Sequence, residues 1–462
     1  MLQNFFKVIF SDFFKLIVSF STLIILTNVL STENFGMYGT ILAYSSLFSL
    51  IALNTSNNKV IINLINELNG ISKSLFKKIF LIRSFFTILT FCLLYLINIL
   101  LNLNIDEYYF TICLIISSIV LWDFSESIFF AKLHFNYPII ISIFFSLLWL
   151  ISIYFFANDI SFFQLIVVYA SIYLIRSFVI LLFSFKFREN KIDNQYISSK
   201  RILTLSFPYV IMRILAGIAE HSPVILLGFF ISSSEVAFYH LGNRITLPFI
   251  IIFGAILKTL YPYMSKSFIS DKEKIEKIIS EIYAPTYLFF SFIIFLLSIS
   301  SSYWIPTIFG DEYNSVIDIF NFLSWIILFF SFDLLMSNIL STFNMQNKLG
   351  LITFLDFIIV MPFIYIGSQF GSEFLSQLKL VAYFITFNFH LYMLNKLVKL
   401  KILNKKFIFS YVLVFLLLIM SLLKISILLK ISFLVLCLAL STLIFWNDSV
   451  KILKFFYSKY GF

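Results

Sequence analysis

Charge is what this sequence has least of. Only 12% of its residues are Asp, Glu, Lys or Arg, against 61% hydrophobic. That balance excludes an ordinary soluble protein and points to an integral membrane protein. Long polar intervals are also missing. The longest, Ser184–Arg201 and Lys266–Ser280, are too short to fold alone, so no soluble domain of useful size can be cut out. Cysteine is scarce. Cys92, Cys113 and Cys437 all lie in apolar runs without metal or redox spacing, which leaves them as packed or lipid-facing thiols. Glycine and alanine are few, a bias from which no function is read. There is no phosphate-cradling Gly-rich loop, no HExxH pair and no GxSxG elbow. A catalytic role therefore finds no support, and no cofactor or metal is implied. The start, Met1–Leu26, lacks a small-residue cleavage site and carries Asp12 inside its apolar run. It reads as a retained first span rather than a cleaved signal.

What is present is a succession of apolar runs, each near the roughly 20 residues a helix needs to cross a bilayer. Their approximate limits are 8–30, 37–54, 79–101, 108–131, 137–156, 161–183, 202–231, 236–263, 281–304, 316–343, 350–370, 374–395, 407–423 and 428–446. The expected class is all-α, a polytopic membrane protein with about fourteen transmembrane helices.

The net charge of +10 would raise the question of nucleic acid in a soluble chain. Here the basic residues sit in short connections, so nucleic acid is not expected as a partner. With Lys7 placed in the cytoplasm, every second connection is basic: Lys73, Lys77 and Lys78, then Lys132, then Lys186, Arg188 and Lys191, then Lys272, Lys274 and Lys277, then Lys348, then Lys399 and Lys401. The others carry Glu33, Asp106, Asp159, Glu235, Asp311 and Glu373, with Lys424 and Lys430 as the exception. That alternation is the positive-inside pattern. It places both termini in the cytoplasm, with Lys451, Lys454 and Lys459 in the tail.

The chain repeats itself. Ser31-Thr32-Glu33 through Tyr38 matches Ser233-Ser234-Glu235 through Tyr239, and Asp106-Glu107-Tyr108 matches Asp311-Glu312-Tyr313. The shared offset of roughly 200 residues corresponds to six spans, so the repeats have parallel orientation. The expected organisation is a six-helix bundle over 1–185, a second over 186–400, and two further helices with a tail over 401–462, the bundles enclosing a central cavity.

Charges inside the spans are the candidates for function, since each costs on the order of 3 kcal/mol at the bilayer centre. In span seven, Arg213 and Glu220 differ by about 20° in direction, Gly217 lies between them and is expected to leave room for a cavity there, and Pro223 is expected to kink the helix. In span eight, His240 and Lys258 share a direction, Arg244 lies about 40° off, and Pro248 interrupts. Arg213 and Arg244 read as cavity residues, with pairing of Arg213 to Glu220 and snorkelling of Lys258 as the structural alternatives. Arg176 in span six has Asp123 and Glu126 of span four as prospective partners, and those acids are alternatively sites for Na⁺ or a proton. Arg83 and Asp12 fall near span ends, where the interface accounts for them. Asp333, Asp356 and His390 are further candidates.

Three stretches carry a family resemblance: Glu33-Asn34-Phe35-Gly36-Met37-Tyr38; Leu205-Ser206-Phe207-Pro208 through Tyr239 to Pro262; and Trp304 through Tyr313. With the span count, the chain resembles the polysaccharide-biosynthesis branch of the multidrug/oligosaccharidyl-lipid/polysaccharide exporter superfamily, the flippases of O-antigen and capsule units. The proline common after the family's first span is replaced by Ser31-Thr32, and the first span has no arginine, unlike the peptidoglycan-precursor flippases. The resemblance implies a polyprenyl diphosphate-linked oligosaccharide as substrate in the bacterial inner membrane, moved by alternating access and coupled to Na⁺ or H⁺. Polysaccharide polymerase and glycosyltransferases would be the implied partners, besides membrane lipid. Arg213, Arg244, Lys258 and Arg176 would hold the diphosphate, and Glu220, Glu126 or Asp123 would serve coupling or charge pairing. A cation-coupled multidrug or metabolite exporter of the same architecture is the alternative.

Overall fold

The computed structural model describes residues 2–54, 58–67, 71–101, 103, 105–132, 134–189, 197–268, 283–343, 345–398, 405–423 and 425–442. Loop lysines Lys191, Lys272, Lys274, Lys277, Lys399, Lys401 and Lys424, the end of the last expected span and the tail lie outside the described residues. Those described fold almost entirely into helices: α1 Leu2–Val29, α2 Thr32–Asn54, α3 Asn58–Glu67, α4 Lys73–Leu101, α5 Tyr109–Ala131, α6 Asn136–Phe156, α7 Phe162–Ser184, α8 Ser199–Phe230 and α9 Ser233–Phe268. They continue as α10 Ala284–Phe309, α11 Val316–Thr342, α12 Gln346–Gly367, α13 Ser372–Val398, α14 Lys405–Leu422 and α15 Ile427–Thr442.

Ten of these are long and apolar enough to cross a membrane, and three shorter ones are apolar. With α13 they correspond one for one to the fourteen runs read from the sequence. Among the described residues only α3, a ten-residue helix, is additional to them. The all-α expectation holds apart from one pair of two-residue parallel strands, β1 Ile71–Ser72 and β2 Arg188–Glu189, with Ile71 opposite Arg188. Much of the outer surface is itself apolar: Ile88, Ile140 and Leu428 are 61%, 66% and 79% exposed. A bilayer is the solvent that such a surface suits.

The helix starts are written in the sequence. Ser161 accepts from the Gln164 backbone N–H, and the Gln164 side chain accepts from the Ser161 N–H, closing a capping box at α7. Ser31, Ser198 and Ser232 cap α2, α8 and α9 in the same way, accepting from the backbone N–H of Asn34, Arg201 and Glu235. Both Asp-Glu-Tyr segments form 3₁₀ turns, Asp106–Tyr108 between α4 and α5 and Asp311–Tyr313 between α10 and α11. The weak internal repeat is thus a repeat of local structure.

The chain divides into two compact units, Met1–His240 and Leu241–Phe462, the boundary falling within α9. In the first, α2 packs along α8 and α5, α5 along α7, and α1 along α6. α3 buries Val60, Ile61, Leu64 and Ile65 against Phe76, Phe124 and Ile197. The starts of α2 and α9 cross so closely that a Cβ on Gly36 would lie 1.7 Å from the Ser233 carbonyl oxygen. In the second unit α11 is the central element, packed against α13, α10 and α14, with Trp325, Phe329 and Phe332 buried along it. α12 packs on α13.

Candidate functional site

The first unit holds its charges in two neighbouring arrangements on α4, α5 and α7. Arg83 is almost fully buried, at 2% exposure, and pairs with Asp123 at 2.9 Å. Its Nη1 also donates to the Val120 carbonyl oxygen at 3.3 Å, and the guanidinium lies over the Phe124 ring at 5.7 Å. The sequence reading put Arg83 near a span end, where the interface would account for it. The structure corrects that: α4 begins at Lys73, so Arg83 stands three turns inside the helix and packs against α5. A cavity of about 220 Å³ adjoins it, lined by Ser84, Thr87 and Ser117 among apolar side chains. Asp123, a candidate for coupling or charge pairing, is therefore Arg83's partner.

Arg176 of α7 is held differently. Its guanidinium lies 4.2 Å from the Trp122 ring centroid and 4.4 Å from that of Tyr173. Both rings lie within cation–π distance of the guanidinium. Its Nε is buried without a hydrogen-bond partner among the described residues. Glu126 has the Trp122 side chain beside it and Arg176, Lys15 of α1 and Asp123 as charged neighbours. Rings continue outward from Arg176: Tyr173 to Tyr169 at 4.5 Å, Tyr169 to Trp149 at 5.0 Å and to Tyr38 at 5.9 Å.

On α8, Arg213 and Glu220 are both exposed, and among the described residues neither forms an ion pair. Gly217 does not open space beside them. It is buried, and a Cβ there would meet Leu50 Cδ1 at 2.0 Å, so α2 occupies the room that sequence reasoning assigned to a cavity. α8 runs through Pro208 and Pro223, and α9 through Pro248, without interruption. On α9, His240 is 5% exposed and packs against Phe35 and Tyr38 of α2, with ring centroids at 5.6 and 6.3 Å. It belongs to a helix contact. Arg244 is half-buried in the second unit. Lys258 lies on the part of α9 whose side chains fall outside the described residues.

The second unit contains a constellation that sequence spacing does not reveal. His390 of α13 is 2% exposed and uses both ring nitrogens: Nδ1 bonds Asp333 Oδ1 of α11, and Nε2 bonds Asp356 Oδ1 of α12 at 2.8 Å. The two carboxylates keep 23% and 26% of their side-chain surface accessible. Each of these residues is a lone polar group deep in an apolar run, and that is the only signal the sequence offers. No group of His, Cys, Asp and Glu suited to a metal ion occurs among the described residues.

Against known proteins, no curated relative matches. Among solved structures, the fold is similar to that of "Lipid II flippase MurJ, inward closed conformation", at 15% identity, over 97% of this chain and 100% of that one, with a TM-score of 0.69. It is also similar to a mutant of the Vibrio cholerae MATE transporter VcmN, at 17% identity over 88% and 98% of the two chains, TM-score 0.58. An inward-facing multidrug resistance MATE family transporter of the MOP superfamily matches at 13% identity over 83% and 96%, TM-score 0.55. These likenesses establish the shared architecture of a multi-pass membrane protein. The family model described as "Polysaccharide biosynthesis protein" matches residues 1–268, more than half of the sequence, and the chain belongs to that family.

Proposed function

We propose that the chain is a flippase that carries a polyprenyl diphosphate-linked oligosaccharide, an O-antigen, capsule or exopolysaccharide repeat unit, from the cytoplasmic to the outer face of the bacterial inner membrane by alternating access. Membership of the polysaccharide biosynthesis family supports a glycan cargo. The fold shared with a lipid II flippase supports a lipid-linked one. The observation that carries the reading is Arg213, a cation within a membrane-spanning helix, exposed and without an ion pair among the described residues. A permanent charge there requires an anion or water to meet its desolvation cost. The diphosphate is the part of the cargo that lipid excludes most strongly, and guanidinium groups grip phosphate oxygens in pairs.

In this mechanism Arg213 and Arg244 hold the diphosphate, with Lys258 at the inner mouth. Arg176, beside the Trp122 and Tyr173 rings, adds guanidinium donors, while the prenyl tail stays in lipid. Glu220 and Glu126 are the carboxylates through which an ion gradient would act from the first unit. Two helix bundles that rock against one another would supply the alternating access, and both termini stay in the cytoplasm. Polymerase and glycosyltransferases are the partners such a cargo requires. Changing Arg213 and Arg244 together to Ala should abolish surface polysaccharide while protein remains in the membrane. Normal polysaccharide in that double variant would remove the reading. The fold is also that of MATE transporters, which keeps a second reading, a cation-coupled multidrug or metabolite exporter. It predicts altered toxin sensitivity on deletion, with polysaccharide unchanged.

A further inference from the structure

His390 joins two carboxylates through both nitrogens of one ring, and that geometry sets a proton count. An ionised carboxylate only accepts hydrogen bonds, and an imidazole nitrogen without a proton only accepts. Two bonds from one ring to two carboxyl groups therefore need two protons among the three side chains. Both protons can sit on the imidazole, or one can sit on the ring and one on a carboxyl. Either way the cluster carries a net charge of about −1 by this protonation bookkeeping. Removing one proton leaves a single N–H, and the other ring nitrogen then turns its lone pair toward a carboxylate. One of the two contacts becomes repulsive and the net charge rises to about −2 in a poorly solvated place.

The three groups come from three helices. Asp356 stands ten residues into α12, about 15 Å from its start at the ordinary rise per residue. Asp333 and His390 are likewise deep in α11 and α13. The ring is buried, yet both carboxylates retain accessible surface. Titratable groups face this region from neighbouring segments. Tyr283, just before α10, bonds Ser331 at 3.1 Å. Tyr287 stands on α10, and Tyr411 of α14 donates to Asn388 at 3.3 Å. On α13 itself, Lys379 and Lys396 lie over the rings of Tyr383 and Tyr392.

We propose that Asp333, His390 and Asp356 form a proton-binding latch: with two protons shared among them they fasten α11 and α12 to α13, and loss of one proton to water frees one of those two helices. The proton leaves through an accessible carboxylate and is taken up by water or buffer base. Rebinding restores the second hydrogen bond. The latch is a property of the second unit by itself, and only its coupling to glycolipid movement rests on the function proposed above.

The test uses the purified full chain in phospholipid nanodiscs without cargo, so its outcome is separate from that of the flippase reading. The chain has four histidines. The His390 signals in ¹⁵N-histidine spectra are assigned by their loss in His390→Gln. In the wild type both ring nitrogens should remain protonated or proton-sharing well above neutral pH. In the Asp333→Asn/Asp356→Asn double variant the second ring proton of His390 should be lost at a markedly lower pH than in the wild type. Hydrogen exchange, corrected for its intrinsic pH dependence, should show α11 or α12 losing at least tenfold protection as the wild-type proton leaves. The conservative single variant Asp356→Asn should lose that pH dependence in α12. Wild-type His390 titrating as a free imidazole, or unchanged protection of both helices across its titration, would overturn the proposal.

Discussion

The two units solve the same problem with different cations. In the first, Arg83 neutralises Asp123 inside the helix packing. In the second, His390 bridges Asp333 and Asp356. A guanidinium stays charged at any pH a cell meets, so the Arg83 contact is fixed. An imidazole can give up its second proton where a guanidinium does not, so that contact is conditional. A permanent pair suits a unit whose helices must keep their places, and a titratable one suits a unit whose helices are released and recaptured.

The sharpest way to break this contrast is Arg83→Ala. Removing one partner of a buried pair leaves Asp123 uncompensated and should cost about 3–5 kcal/mol, alike at pH 6 and pH 9. Thermal unfolding of the detergent-purified chain measures it, and a loss below about 1 kcal/mol would mean that the pair is solvated, as surface pairs are. Next in size is Asp333→Asn, expected to cost about 1–3 kcal/mol at neutral pH through the charged hydrogen bond it weakens. Here the sign of the pH dependence matters. The latch contributes stability while its shared protons are bound, so wild-type stability should fall as pH rises through their loss. The variant should lack that slope, while Arg83→Ala should keep it. Smallest is Trp122→Phe, which keeps a ring beside Arg176 and removes the indole N–H beside Glu126. About 0.5–1.5 kcal/mol is expected by the same measurement, with Arg176 still stacked.

Much of the architecture was legible because a bilayer imposes coarse rules. Apolar length and the alternation of basic connections set the span count, and the paired Asp-Glu-Tyr segments disclosed the repeat. Arg83 was misread for a physical reason. Its apolar run begins near residue 79, but the helix starts earlier with Lys73, Lys77 and Lys78, so an apparent end position lies inside. Asp333, Asp356 and His390 stood out one by one, but their junction did not, because they stand on three helices, 23 residues or more apart in sequence. Helical spacing relates neighbours on one helix and says nothing across helices. Gly217 shows the same limit: a small residue between charges looks like an opening until a neighbouring Leu50 fills it.

The crossing at Gly36 has a genetic consequence. A methyl group there would run into main-chain atoms, the Ser233 carbonyl at 1.7 Å and the Ala237 nitrogen at 3.2 Å. Trimming a neighbour's side chain cannot make room when the obstacle is backbone. Gly217→Ala meets only the tip of Leu50, at 2.0 Å, and a second change of Leu50→Ala should restore a tolerated protein. Selection for revertants should therefore return compensating changes for the glycine in α8 and, for the one in α2, true reversion alone.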